Sequence, residues 1–320
     1  MIQGVILRVV SLSASLVGLA SIAAAFGAQI GRLSERWDLL SHFAVLWLLG
    51  ALLTLACGVF ISPSPYRMTL VTLGGAGVIF ALALIVPEVL RPTARLPISH
   101  HEARIKLIQF NAWGRNADPQ GTVKWLVEQR PDIIVIEENS GPIQAGLVTS
   151  GFIYTRGSLR TAIYSRASPA HKPFQIEGNW GEFPGLVRAT FTLPTGGTFH
   201  VVGTHLTWPT ATFQPRQRFH LAALAGRYDR RRLILAGDFN LTPWSFALQR
   251  LDKQLGLMRR DRALFSWPAR AGLGGQWSIP VLPIDHVYAG ADWRTVSITR
   301  GPRLGSDHYP VVAVLALADE

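Results

Sequence analysis

Six short stretches of this 320-residue chain join an apolar run to residues that move protons or bind cations. They are Phe110-Asn111, Ile136-Glu137-Glu138, Thr204-His205, Gly237-Asp238-Phe239-Asn240, Ile284-Asp285 and Ser306-Asp307-His308. Carboxylates, amides and imidazoles in this mixture suit hydrolysis of an anionic ester. A phosphodiester gains charge on its oxygens in the transition state, so a hard divalent cation held by carboxylates is the direct stabiliser. Mg2+ is the natural cofactor, with Mn2+ as its substitute. One Asp-x-Asn or Ser-Asp-His alone reads more readily as a turn or an Asx cap. Six in order do not.

The elements that must position these groups are strands. Leu107–Phe110, Ile133–Ile136, Val201-Val202, Leu233–Leu235, His286–Tyr288 and Val311–Leu315 are rich in β-formers, and each breaks at Gly, Pro or Ser. The polar residues therefore fall where a strand meets its loop, the usual place for functional groups. Asp238 and Asn240, two apart, point to the same side. Between the strands, Asp118-Pro119 predicts an N-cap and first turn for a helix to Arg130, Pro215 to Asp229 a second helix, and Thr242-Pro243 the cap of a third. The alternation predicts an α/β domain.

Across residues 104 to 317 the chain resembles the endonuclease/exonuclease/phosphatase superfamily, which includes DNase I, exonuclease III, inositol polyphosphate phosphatases and neutral sphingomyelinases. The resemblance rests on six ordered motifs: Leu107–Gly114, Pro131–Asn139, Val201–Leu206, Leu235–Asn240, Pro283–His286 and Gly305–Pro310. It implies a four-layer α/β sandwich, DNase I-like, with the site in a cleft at one end. It also implies metal ligation by Asn111, Glu138 and Asp307. Glu138 is preferred to Glu137 because the motif puts the ligand last in the acidic pair; alternation alone does not separate them. His308 matches a histidine that contacts the scissile phosphate or activates water, and Asp285 the carboxylate that holds it. Such a carboxylate fixes the tautomer and raises the basicity of the other ring nitrogen. The implied roles of Asp238 and Asn240 are positioning the nucleophile and hydrogen-bonding the phosphate. His205 is implied in leaving-group protonation or phosphate contact. Arg160, before a strand ending in Ser165-Arg166, reaches a phosphate or is a solvated loop arginine. Trp113 stands where nuclease members often carry a polar or acidic ligand, and Asn-Ala-Trp-Gly and Glu-Glu-Asn look more like neutral sphingomyelinases.

His171, His200 and His220 have no motif around them and read as structural or solvated. His286 follows Asp285 and so faces away from it on a strand.

The first hundred residues differ in kind. Val5–Ala28, Leu39–Ile61 and Met68–Val86 are apolar runs near the roughly 20 residues that span a bilayer. Three transmembrane helices, without a central carboxylate, predict an anchor rather than a transporter. The expected domains are a transmembrane anchor over 1–88, a Pro- and Arg-bearing linker over 89–102, and a catalytic domain over 103–320. Arg32, Arg36, Arg91 and Arg95 fall on the catalytic side of the membrane, with Arg8 and Arg67 opposite. The positive-inside rule then points to the cytoplasm. Four against two leaves the side of the plasma or inner membrane open. Cys57, the single cysteine, excludes an intrachain disulfide.

From residue 103 on there are 25 Lys and Arg against 16 Asp and Glu, a net of +9. A basic domain suits nucleic acid, and equally a position beside anionic lipid. Arg227, Arg230, Arg231 and Arg232 cluster at a helix end, where the dipole alone favours cations. Trp208, Trp244, Trp267 and Trp277 flank the motifs, able to stack on bases, meet lipid or wedge the cleft walls. The leading expectation is a membrane-anchored phosphodiesterase with nucleic acid slightly favoured over a phospholipid or sphingomyelin headgroup. A catalytically silent binding domain is the alternative of another class.

Overall fold

The structure, a computed structural model, describes residues 2–61, 64–92, 103–170, 181–193, 196–210, 212–270 and 278–318. The chain forms two compact units: Met1–Arg91 with Thr242–Gln249, and Pro92–Leu241 with Arg250–Glu320.

The first unit is built on α1 (Ile2–Gln29), α2 (Ala44–Ala56) and α3 (Ser64–Leu90). Three segments, Ile2–Arg32, Glu35–Ile61 and Pro65–Leu90, are long and apolar enough to cross a membrane. Small residues let the helices approach closely: a Cβ on Gly74 would stand 2.6 Å from the Leu55 backbone nitrogen. The hydroxyls of Ser11 and Ser15 donate to the carbonyls four residues earlier, which satisfies them within their own helix. The anchor was expected to end at 88, but α3 runs to Leu90 with Pro87 inside it. Its last turn is tied by Arg91 and Glu88, 2.9 Å apart. The remainder of the expected linker, 93–102, lies outside the described residues.

The second unit holds two mixed sheets. The six-stranded sheet runs in the order β10-β11-β1-β2-β4-β3, and the five-stranded sheet β5-β6-β7-β9-β8. The strands are β1 (Arg104–Asn111), β2 (Ile133–Glu137), β3 (Ile153–Arg156), β4 (Ala162–Ser165), β5 (Gly185–Thr192), β6 (Thr198–His205), β7 (Leu233–Asp238), β8 (Met258–Arg259), β9 (Asp285–Ala289), β10 (Trp293–Arg300) and β11 (Val311–Leu317). One apolar core lies between the sheets, with Ile105 and Leu107, Ile133 and Val135, Ile234 and Ala236, and Val287 and Ala289 as alternating pairs. A second core covers the far side of the first sheet: Ile108, Phe110, Ile134 and Ile136 meet Leu126 of α4 (Pro119–Glu128) and Ile143 and Leu147 of α5 (Gly141–Thr149). Strands buried on both faces explain the near-continuous apolar runs of the sequence. The result is the expected four-layer α/β sandwich.

Helix boundaries shift where local chemistry decides them. Asp118 caps α4 by accepting from the Gly121 N–H, and Arg130, at φ +50°, ends it short. The helix expected from Pro215 to Asp229 is α6 (Gln214–Ala225), because Asp229 instead caps the turn at Arg230–Arg232. Thr242 does not cap α7 (Phe246–Leu255). Its carbonyl accepts the Ser245 N–H in a turn, and the Ser245 hydroxyl accepts from the Leu248 N–H.

Candidate active site

The inner apolar stripes run out at one end of the sandwich, and the polar residues continue them. On β1, Ile105 and Leu107 lead to Gln109 and Asn111; on β2, Ile133 and Val135 lead to Glu137. In the other sheet, Val201, Ile234 and Val287 lead toward His205, Asp238 and Asp285. Register aligns them: His205 pairs with Asp238 and Asp238 with Asp285, so three candidate side chains stand side by side on adjacent strands.

Hydrogen bonds then cross from sheet to sheet. Asn111 Nδ2 donates to Asp238 Oδ2 at 3.0 Å and to Glu138 Oε1 at 3.4 Å. Asp238 Oδ2 lies 3.5 Å from His205 Nε2 and 3.7 Å from His308 Nε2. His308 Nδ1 is 2.8 Å from Asp285 Oδ2. Asn240 lies beside Asp238, its backbone N–H donating to Oδ1, and its amide to the Leu206 carbonyl. Asp307 Oδ2 accepts from the Trp267 indole at 3.3 Å. Asn111, Glu138, His205, Asp238, Asn240, Asp285 and His308 thus form one connected cluster, with Asp307 one residue before His308.

The acidic pair divides by backbone geometry. Glu137 follows the strand alternation inward, is fully buried, and accepts from Gln109 Nε2 at 2.9 Å. Burial pushes its pKa well up, and the charges of Asp285 and Asp238 push the same way, which disfavours its charged form. Glu138 leaves the strand at φ +50°, and Gly114 N–H donates to its Oε2 at 3.0 Å. Burial opposes its charge, but the Gly114 bond, His205 and Asn111 outweigh it and hold the pKa below the ordinary value. Trp113, Glu138, Arg160 and Asn240 all adopt positive φ. Left-handed backbone at non-glycine residues costs energy, and its concentration here is typical of functional sites.

Burial works against a charged ring at His308, but Asp285 and Asp238 overcome it and raise its pKa to about 10. His205 is buried with the opposite result: desolvation wins over Glu138, and its pKa falls to about 4. At neutral pH one ring is charged and the other neutral. Burial lifts Asp238 to about 7, with His308 pulling down and Asp285 adding to the rise.

The donor set fits a hard cation. Asp307 Oδ1 and Asn240 Oδ1 are buried oxygens without a hydrogen-bond partner among the described residues. Asp238, Asp285 and His308 also place ligand atoms within 4.8 Å of one another. Oxygen-rich, carboxylate-bearing sites of this kind suit hard divalent cations.

A family model, the Endonuclease/Exonuclease/phosphatase family, matches residues 108–308. The chain belongs to this family. Solved structures similar to this chain in fold include sphingomyelinase C from Streptomyces griseocarneus, at 16% identity and a TM-score of 0.51, covering 68% of this chain and 100% of that one. The human Nocturnin catalytic domain is 16% identical with a TM-score of 0.50, covering 72% and 99%. A Staphylococcus aureus beta toxin mutant with bound magnesium ions is 13% identical with a TM-score of 0.50, covering 68% and 100%. No curated protein matches the sequence. The family's phosphoesterase fold accounts for the order of the six motifs.

Several residues with a hand in the site escape a motif reading. Gln109 Nε2 donates to both Glu137 Oε2 and Asp285 Oδ1, joining the sheets under His308. A lone polar residue two before Asn111, on the inner face of an apolar strand, is its signal. Ser306 accepts from the His308 backbone N–H and donates to the Asn111 carbonyl. His286 faces away from Asp285, with its ring between Asp261 and the Leu241 carbonyl. Arg160, read as a phosphate contact or a solvated loop arginine, donates to the carbonyls of Glu138 and Asn139. Trp208 is 43% exposed and meets Trp267 edge to face, whereas Trp244 is buried. His171 and Trp277 lie outside the described residues.

Proposed function

We propose that the protein is a membrane-anchored, Mg2+- or Mn2+-dependent phosphodiesterase. One observation carries the reading: three carboxylates, two amides and two histidines from both sheets meet in one cluster joined by hydrogen bonds and close charge contacts. Glu138, Asp307 and Asn111 would hold the cation. When bound it supplies Lewis-acid neutralisation of the phosphate oxygens.

The chain's own groups then divide the remaining work. Asp238, with a pKa near neutrality, takes the proton of the attacking water, with Asn240 beside it to hold water or phosphate. The charged His308 ring, oriented by Asp285, donates to the phosphate oxygens where charge builds. Neutral His205 offers an N–H to the phosphate or leaving oxygen. The water oxygen bonds to phosphorus, and the leaving oxygen departs with the electron pair and takes a proton from solvent.

Nucleic acid is the favoured substrate, supported by the +9 net charge from residue 103 on and by the exposed Trp208. Similarity to a sphingomyelinase and three membrane-length helices support a phospholipid headgroup as the second reading. The test uses the full chain in nanodiscs with Mg2+, then EDTA, on plasmid DNA, RNA, lecithin and sphingomyelin in parallel. Cleavage of DNA or RNA that EDTA stops and Mn2+ restores is expected. Headgroup release with nucleic acid uncut would overturn the substrate, and no cleavage of any would overturn the enzyme.

A further inference from the structure

The segment directly after Asp238-Phe239-Asn240-Leu241 belongs to the first unit. Thr242–Ala247 is fastened there to the short stretch between α1 and α2. Asp38 is 2% exposed and accepts from the Phe246 N–H at Oδ1, 2.9 Å, and from the Ala247 N–H at Oδ2, 2.7 Å. The Ser41 hydroxyl steadies the carboxylate at 2.7 Å. With the Ser245 N–H on the Thr242 carbonyl and its hydroxyl taking the Leu248 N–H, all four donors that begin α7 are satisfied, two of them by a residue from another part of the chain. A buried anion at a helix N-terminus also meets the favourable end of the dipole. His42 completes the clamp: its Nδ1 accepts from the Thr242 N–H at 3.3 Å, and its carbonyl from the Trp244 indole at 3.0 Å. Arg32 lies 5.2 Å over the Phe246 ring.

We infer that the first unit does more than tether the protein: Asp38 and His42 are positioning residues for the strand end that carries Asp238 and Asn240. The inference rests on the catalytic reading of those two residues. Between Asn240 and the clamped Thr242 stands Leu241 alone, whose carbonyl faces the His286 ring. Asn240 holds a left-handed backbone and has its N–H on Asp238, so freedom at Thr242 reaches the carboxylate through two peptide units. Residues that act this way change how often the site is assembled rather than what it binds.

The test uses the full chain in nanodiscs, bis(4-nitrophenyl) phosphate with Mg2+ as the probe, and hydrogen exchange on the same samples. In Asp38→Ala, exchange should rise in peptides covering 246–247 and also 239–240. Turnover should fall about two- to thirtyfold, the equivalent of losing a helix cap, with KM and Mg2+ affinity within about twofold. Asp38→Asn keeps one acceptor oxygen and should lie between. Arg36→Ala, in the same stretch, should match the wild type. If Asp38→Ala fails to fold, His42→Ala leaves the cap intact and carries the same readouts. Faster exchange confined to 242–249 with turnover unchanged, or no change in exchange, would overturn the inference. A wild type inert toward the diester would instead overturn the proposed function, and exchange at 239–240 would still decide the coupling.

Discussion

Replacing Asp285 by Asn changes charge at constant shape, and the two hydrogen bonds of the carboxylate set the outcome. Asp285 is fully buried, with Oδ2 taking the His308 Nδ1 bond and Oδ1 the Gln109 amide, each at 2.8 Å. Both partners donate, and an asparagine has one acceptor and one donor. Whichever way its amide turns, one face sets donor against donor, leaving a buried group unsatisfied at about 1–3 kcal/mol. The fold should survive that loss. His308 fares worse, because its pKa of about 10 is held up against burial by Asp285 first and Asp238 second. Without the first, burial favours the neutral ring and the tautomer is no longer fixed. Turnover by the full chain in nanodiscs with Mg2+ should fall by roughly two to four orders of magnitude, the range for losing a positioned acid-base partner. The melting transition should move by only a few degrees. Activity within about threefold of wild type in a folded variant would remove Asp285 and the charged His308 from the mechanism.

The pH dependence of kcat/KM should be bell-shaped, rising as Asp238 ionises through about 7 and falling as His308 loses its proton near 10. The stability term of His308 has the sign of a raised pKa, complete below about 6.5 and lost as pH climbs toward 10; a flat unfolding profile over that window would contradict it. Glu138→Gln keeps shape and removes a charge from the cation site, so Mg2+ affinity by calorimetry should fall and excess Mg2+ recover part of the rate; unchanged affinity would exclude Glu138 as a ligand. Gln109→Leu strips a donor from two buried carboxyls and should cost about 1–3 kcal/mol in denaturant unfolding as well as lowering turnover. Wild-type turnover in that variant would show that His308 needs no support from beneath.

The strands were legible because both of their faces are buried, which writes unbroken apolar runs such as Ile133–Ile136 into the chain, whereas the sandwich they build came from the family resemblance. Motif residues were legible for the same reason, as the points where an inner stripe turns polar. Glu137 and Glu138 were not separable by alternation, because the choice lies in a left-handed backbone at residue 138 that the pattern does not encode. Gln109 was hidden inside a strand that reads as apolar, its partners being 28 and 176 residues away. Thr242-Pro243 has the composition of a helix cap, yet α7 begins four residues later, since its first donors find Asp38 from 208 residues upstream. Local signals fix where elements start only when the partners are local too.

Because the first unit is discontinuous in sequence, it is completed late in synthesis. Its three apolar helices leave the ribosome first, but Phe246, which Asp38 meets, is 208 residues further on. At about 5–20 residues per second that interval is about 10–40 s. During this time Asp38 lacks its later partners at Phe246 and Ala247. The first unit is therefore completed only after β7 and the residues beyond it have been synthesised, although its three apolar helices come first in the chain.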